Sequence, residues 1–347
     1  MKRSIIVLHL ILLFLTVSCS YGQQVERKDA IVIKTVGSRN LFDAFPDSTS
    51  LDFNEMPNGK IPGTVSKLIV RNDTLFVLDS FKSKAFFAYA SDGTPLFEYS
   101  KQGEGPDEYI FLSDLDVDDK NIYLLDSESH KILLLNKNGK FEKKVDSPAH
   151  TAHIKPFYDA KSKKASYYFD MYTPEKARLI RQRGRKNDTL MITPDGMSNF
   201  NYSAPNSFQS DKLNTEILYM PSYSSCIYKF NENGEPQEYI NLDFKGLMPD
   251  LSFFKSLKGK RSEDKFNLIK DGFAYYFSFD ANSTHILVGF VYEDKHYLCF
   301  INKSSHTTDI FDMPTDYSIR ALTDDNLYLY SKNSDNLTIV NISSISK

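Results

Sequence analysis

Three carboxylates and a tyrosine fall within seven residues at Gly103-Glu104-Gly105-Pro106-Asp107-Glu108-Tyr109. Two glycines and a proline bend such a stretch into a turn, and turns that join regular elements run over the surface. Glu104, Asp107, Glu108 and Tyr109 are therefore candidate ligand-binding residues. A purely structural turn, in which Glu108 caps backbone N–H groups, uses the same residue types. Asp114, Asp116, Asp118 and Asp119 follow directly. Period-2 spacing on a strand puts Asp114, Asp116 and Asp118 on one face, where they could bind a cation such as calcium or form a solvated strand edge. The run lacks the sixth-position glycine and the later bidentate glutamate of a calcium loop. Asp114 and Asp116 join the candidate ligand-binding set.

Elsewhere the chemistry is sparse. Of the histidines only His150 and His153 lie close together, and a zinc site needs further ligands that their spacing does not supply. There is no GxSxG, HExxH, phosphate-binding loop or dinucleotide fingerprint. No catalytic residue is nominated and no resident cofactor is expected, with a divalent cation left as the open alternative. Cys226 and Cys299 sit in separate strand-like runs, either as a disulfide of an exported chain or as two buried thiols.

The elements that must position these residues are short strands. Residues 66–80 (SKLIVRNDTLFVLDS) and 113–127 (SDLDVDDKNIYLLDS) repeat one pattern at an offset of 47 residues. Each copy runs on into an apolar strand and a glycine turn, at Asp92-Gly93 and Asn138-Gly139. Such a repeat of short strands is the signature of a β-propeller. The second copy predicts an innermost strand over 112–117, strands over 121–125 and 131–135, and an outer strand over 140–145. Weaker copies are read at 217–239, 284–311 and 321–342, and region 154–199 is the least regular. An offset of this size permits six or seven blades. Two stretches break the pattern. Residues 174–186 carry six basic residues against Glu175, and 251–269 (LSFFKSLKGKRSEDKFNLI) mixes Phe and Leu with Lys at loosely helical spacing. Each is an anion-binding patch, a helical insertion capping the channel, or a solvated loop or hairpin.

The first residues read as an export signal. Lys2 and Arg3 precede an apolar run over 5–17 that is too short to span a bilayer. Val17-Ser18-Cys19 is similar to a lipobox, which would make Cys19 the lipidation site; cleavage after Ser20-Tyr21-Gly22 is the other reading. The domains are thus a lipoprotein signal peptide at 1–18, a tether and first strand at 19–40, and the propeller at 41–347. Loss of residues 1–18 removes Lys2 and Arg3 and no acid, leaving a net charge of −5, which argues against a nucleic-acid partner.

The text from Gly103 to Tyr109, followed by Asp116-Val117-Asp118, Ile122–Asp126, Lys131-Ile132 and Asn138-Gly139-Lys140-Phe141, resembles the six-bladed β-propeller lipoproteins of Gram-negative gut-type bacteria, whose repeats are NHL-like. Cys226-Ile227-Tyr228-Lys229-Phe230 and Leu41-Phe42, read as leading into the first blade, are similar to that family too. Asp107 stands where the family usually has glycine. The resemblance implies an all-β, six-bladed propeller of four-stranded antiparallel blades and a cell-envelope location, anchored at the outer membrane and facing the periplasm or the cell surface. It implies no activity and no catalytic residues. The expected function is a monomeric binding or scaffold module for a glycan, a peptide or an envelope protein, touching the membrane only through its lipid anchor. The alternatives are a structural part of an envelope complex and a metal-dependent hydrolase or lactonase with a cation in the channel.

Overall fold

The computed structural model describes residues 30–35, 37–159, 164–172, 177–193, 207–210, 216–221, 224–231 and 233–345. These form six mostly antiparallel sheets arranged as the blades of a propeller. Blade 1 runs Lys67–Arg71, Thr74–Asp79, Ala85–Ala90, Pro95–Tyr99 from the channel outwards, and blade 2 runs Leu112–Val117, Asn121–Asp126, Lys131–Asn136, Phe141–Asp146. Blade 3 is Thr151–Asp159, Lys164–Met171, Ala177–Arg183, Lys186–Ile192. Blade 4 is Phe208–Ser210, Ile217–Tyr219, Cys226–Phe230, Pro236–Asp243, and blade 5 is Tyr275–Ala281, His285–Tyr292, Lys295–Asn302, Thr308–Met313. Blade 6 takes Tyr317–Leu322, Asn326–Ser331 and Leu337–Asn341 from the C-terminal part and its outermost strand, Ser48–Leu51, from the N-terminal part. That antiparallel pairing closes the ring.

The middle strands are nearly continuous apolar runs because both of their faces are covered by neighbouring blades. Thus Ile122, Leu124 and Leu133 pack with Phe76, Leu78 and Phe86 of blade 1, while Tyr123, Leu125 and Leu134 pack with Tyr167 and Phe169 of blade 3. The tyrosines and phenylalanines fill the inter-blade layers, as at Tyr168 stacked on Phe230 at 4.6 Å. The turn over 136–140 closes through Gly139 N–H to Asn136 C=O at 3.0 Å. Gly139 has φ +74°, and a Cβ there would lie 2.3 Å from the Phe97 ring, so the blade 1–blade 2 contact requires glycine.

Several sequence readings take definite form. The first strand is limited to Ile31–Val32 and lies parallel on the outer edge of blade 4, pairing with Leu242 and Asp243, because the inner places are already filled. Residues 41–44, read as leading into the first blade, form one helical turn, Leu41–Ala44, capped by the Asn40 side chain on Phe42 N–H. The basic stretch over 174–186 takes the hairpin reading, as the third strand of blade 3 and its turn into the fourth. Arg178 and Arg181 point inwards, pairing with Asp170 at 2.7 Å and donating to the carbonyls of Asn233 and Gly234, while Arg183 and Arg185 stay exposed. The stretch at 251–269 folds as the helices Leu251–Ser256 and Ser262–Gly272, inserted between blades 4 and 5.

Candidate functional site

The glycine-rich loop joins the outer strand of blade 1 to the inner strand of blade 2, and it is closed by its own residues. Gly103 N–H donates to Tyr109 C=O at 2.9 Å, and Tyr109 N–H to Lys101 C=O at 3.0 Å. Glu108 turns inwards and accepts the Gly105 N–H at 2.8 Å. A Cβ on Gly103 would meet Glu108 Oε2 at 2.1 Å, which explains a glycine there. Tyr109 is fully buried and donates its hydroxyl to Lys84 C=O at 2.6 Å, tying the loop to blade 1. Asp107 pairs with Lys101 at 2.6 Å, and its carbonyl accepts the Tyr99 hydroxyl. The Lys101 hydrogen bond holds the Asp107 carboxyl below the usual range. Of the loop's sequence candidates, Glu108 and Tyr109 shape the turn, Asp107 is paired, and Glu104 is exposed.

The repeated Leu-Asp-Ser is a clamp. Asp79 is buried and accepts from Gly63 N–H at 2.8 Å, Thr64 N–H at 3.1 Å and the Thr64 hydroxyl at 2.6 Å. It also accepts from the N–H groups of Phe81, Lys82 and Ser83 at 3.1, 2.9 and 2.9 Å. Burial opposes its ionisation, but the Thr64 and backbone donors outweigh that and hold it at about 2. Asp126 repeats the device on Ile110 N–H at 3.0 Å, Phe111 N–H at 3.2 Å and Ser129 N–H at 3.1 Å.

These clamps fix three loops that present apolar side chains to solvent. Phe81 is 68% exposed, Ile110 47% and Ile61 43%. The Phe81 and Phe111 rings approach to 6.1 Å, and Ile61 C=O accepts the Ser83 hydroxyl at 2.6 Å. Phe81 and Phe111 thus meet at the junction of blades 1 and 2, with the exposed Ile61 and Ile110 on the adjoining loops. Strands alternate in direction, so the link from each outer strand to the next inner strand leaves at the same end of the propeller as the hairpin that carries Phe81. The surface therefore lies on one face, beside the channel mouth.

Inside the channel Asp114 and Asp116 are engaged with cations. Asp114 meets Lys67 Nζ at 2.6 Å, accepts Ile154 N–H at 2.8 Å and lies 3.6 Å from His153 Nδ1. Burial raises its pKa, while Lys67 and His153 pull it down to about 2. Asp116 pairs with Lys155 at 3.0 Å. Asp118 lies in the hairpin turn and accepts the N–H groups of Lys120 and Asn121, both at 2.7 Å. Asp114 and Asp116 therefore bridge the inner strands of blades 1, 2 and 3. Among the described residues no three His, Cys, Asp or Glu side chains converge as a metal-binding group.

Residues 60–341 match DUF5128, described as a 6-bladed beta-propeller. The chain belongs to this family. Among solved structures, the DUF5128 propeller is similar to an exported protein of Bacteroides fragilis, at 15% identity and a TM-score of 0.72, covering 90% of this chain and 98% of that one. It is also similar to a DUF4221 family member from Bacteroides vulgatus, at 10% identity and a TM-score of 0.59, covering 86% and 96%. No curated protein matches it.

The DUF5128 propeller has a second concavity, a cleft of about 440 Å³ between blades 1 and 2, lined by Glu98, Tyr99, Ser100, Lys101, Asp107 and Phe141 among others. It brings Asp107 to a surface that the sequence alone does not connect with Lys140 or Phe141. Cys226 and Cys299 are buried in blades 4 and 5. His150 is an exposed turn residue with φ +60°, whereas His153 is buried beside Asp114. Cys19 lies outside the described residues. The Phe81 surface was missed in sequence. Its signal was there: Phe81 follows the closing Leu-Asp-Ser where the second copy has Glu128.

Proposed function

We propose that this propeller is an exported, lipid-anchored binding module of the cell envelope whose face docks a protein or peptide partner at the junction of blades 1 and 2. The observation that carries this reading is the Phe81, Phe111, Ile61 and Ile110 surface on loops clamped by Asp79 and Asp126. Contiguous apolar surface on a soluble fold marks an interaction site. Aromatic anchors on rigid loops lose little entropy on binding. The exported description of the Bacteroides fragilis structural relative and the signal-like N-terminal sequence support an envelope location. The Cys19 anchor would hold the module at the outer membrane, facing the periplasm or the cell surface. A glycan ligand would find fewer flat platforms, since the chain has no tryptophan. The acids nominated for a hydrolase, Asp114 and Asp116, are already paired with Lys67 and Lys155.

The double substitution Phe81→Ser with Ile110→Ser tests the reading. It should abolish capture of the partner from envelope extracts and leave the thermal midpoint unchanged, since both side chains face solvent. Capture of the same partner by the double variant would overturn it.

A further inference from the structure

Among the described residues, Arg71, Arg178, Arg181 and Arg320 are the arginines that are buried or half-buried. Three of them face a carboxylate. Arg71 meets Asp119 at 2.6 Å, Arg178 meets Asp170 at 2.7 Å and Arg181 lies 3.6 Å from Asp188. Arg320 meets none among the described residues. Its guanidinium donates to the carbonyl of its own neighbour, Ile319, at 3.1 Å and lies 5.5 Å from the centroid of the Tyr330 ring. Its Nε is buried without a hydrogen-bond partner. Burial lowers its pKa to about 10, and no carboxylate offsets that. A cation held out of water without an anion is unfavourable for the fold alone. It is also the group best shaped to take a carboxylate through two parallel N–H donors.

The backbone aims this side chain. Ile319 pairs with Leu329 and Ala321 with Tyr328, so Arg320 is the extra residue of a bulge in the innermost strand of blade 6. A bulge redirects the side chain it carries. The corresponding bulges on the innermost strands of blades 2, 3 and 5 carry Ser113, Ala152 and Phe277. The propeller therefore does not demand a cation at this place. Tyr330, beneath Arg320, donates its hydroxyl to Asp335 at 2.6 Å, and Asp335 meets Lys82 at 3.3 Å. Lys82 follows Phe81 on the loop that Asp79 clamps. Tyr330, Asp335 and Lys82 thus link Arg320 to the apolar surface from its blade 6 side.

We propose that Arg320 is a carboxylate-binding residue of the propeller face and receives an acidic side chain or the C-terminal carboxylate of the peptide docked beside it. One guanidinium close to Asp335 balances a single negative charge, which favours a carboxylate over a doubly charged phosphate. The peptide source rests on the docking reading above; the carboxylate site itself does not.

The test follows the Arg320 Nε–H resonance of the 15N-labelled protein, assigned as the signal lost in Arg320→Met or, should that variant not fold, in Arg320→Lys. Acetate should shift it saturably and acetamide should not, while the exposed Arg185 barely responds. No shift, or the same shift at Arg185, would overturn the proposal. Pools of random hexapeptides, with and without Asp and Glu and with a free or amidated C-terminus, then identify the source. Retention of the acid-containing pools assigns a side-chain carboxylate. Retention of the acid-free pool only with a free C-terminus assigns the terminal one. Either retention should fall at least tenfold with the Arg320 variant. Equal retention of the acid-free, amidated pool, or retention that the Arg320 variant leaves unchanged, would overturn the proposal while the docking reading stands. A saturable acetate shift with no pool retained would refute the docking reading and leave the carboxylate site.

Discussion

Asp116 and Asp280 hold the same place on the inner strands of blades 2 and 5, and only Asp116 faces a lysine. Each stands two residues before the turn residue that closes its hairpin, Asp118 on Asn121 and Asn282 on His285. Each also accepts the N–H of the following residue, at 2.6 Å from Val117 and 2.7 Å from Ala281. From the next blade Asp116 receives Lys155, whereas Asp280 receives only the Leu322 N–H at 2.8 Å. Burial pushes Asp280 up to about 7, against the pull of those two N–H groups and of Lys67.

Stability should therefore fall as pH rises through this carboxyl. Between the ordinary aspartate value and about 7, the folded state binds the proton that the unfolded state has released. The favourable contribution is complete below pH 4 and gone above 7. Asp280→Asn keeps an acceptor oxygen and cannot ionise. It should stabilise the protein at pH 8, by about 4 kcal/mol at most, and change little at pH 4. Urea unfolding at the two pH values checks this; equal effects at both would refute the assignment.

Asp79 has the opposite sign. Its pKa is lowered to about 2 on folding, so its contribution is full above the ordinary aspartate value and is lost as pH falls from about 4 to 2. Asp79→Ala removes the acceptor of six hydrogen bonds donated by Gly63, Thr64, Phe81, Lys82 and Ser83. It should cost on the order of 3–5 kcal/mol at pH 7 and flatten the acid limb of the stability curve. Chemical denaturation between pH 2 and 7 measures both.

Gly103→Ala should destabilise the blade 1–blade 2 loop by about 1–3 kcal/mol, because φ is +154° and the new methyl would strike the Glu108 carboxylate. Removing that carboxylate in the Glu108→Ala background relieves the clash but not the backbone strain. A double-mutant cycle should show favourable coupling between the two changes. Additive costs would mean that Glu108 does not occupy the space beside Gly103.

Cys19→Ala should release the protein from washed membranes if Cys19 is acylated. Retention in the membrane fraction, judged by immunoblot after fractionation, would return the N-terminus to ordinary signal cleavage.

Blades 1 and 2 were legible because two copies of one pattern preserve the strand period, the Asp-Gly or Asn-Gly turn and the clamping aspartate. Blade 3 was not, since Arg178 and Arg181 read as a solvated charge run until Asp170 and the Asn233 and Gly234 carbonyls are placed beside them. Period-2 spacing put Asp114 and Asp116 on the inner strand correctly. It could not show that their partners, Lys67 and Lys155, arrive from neighbouring blades 47 and 39 residues away. Phe81 was passed over for another reason: the break in the repeat is visible, but its exposure follows from the Asp79 clamp turning the loop outwards.

The most direct test of the binding surface is site-specific photo-cross-linking in intact cells. A photoreactive residue would replace Phe81, with a control at Leu96, which is exposed on the outer strand of blade 1. The account predicts a discrete cross-linked species from position 81, absent from position 96 and lost when Ile110→Glu is added. No adduct at position 81, or the same adduct at both positions, would contradict it.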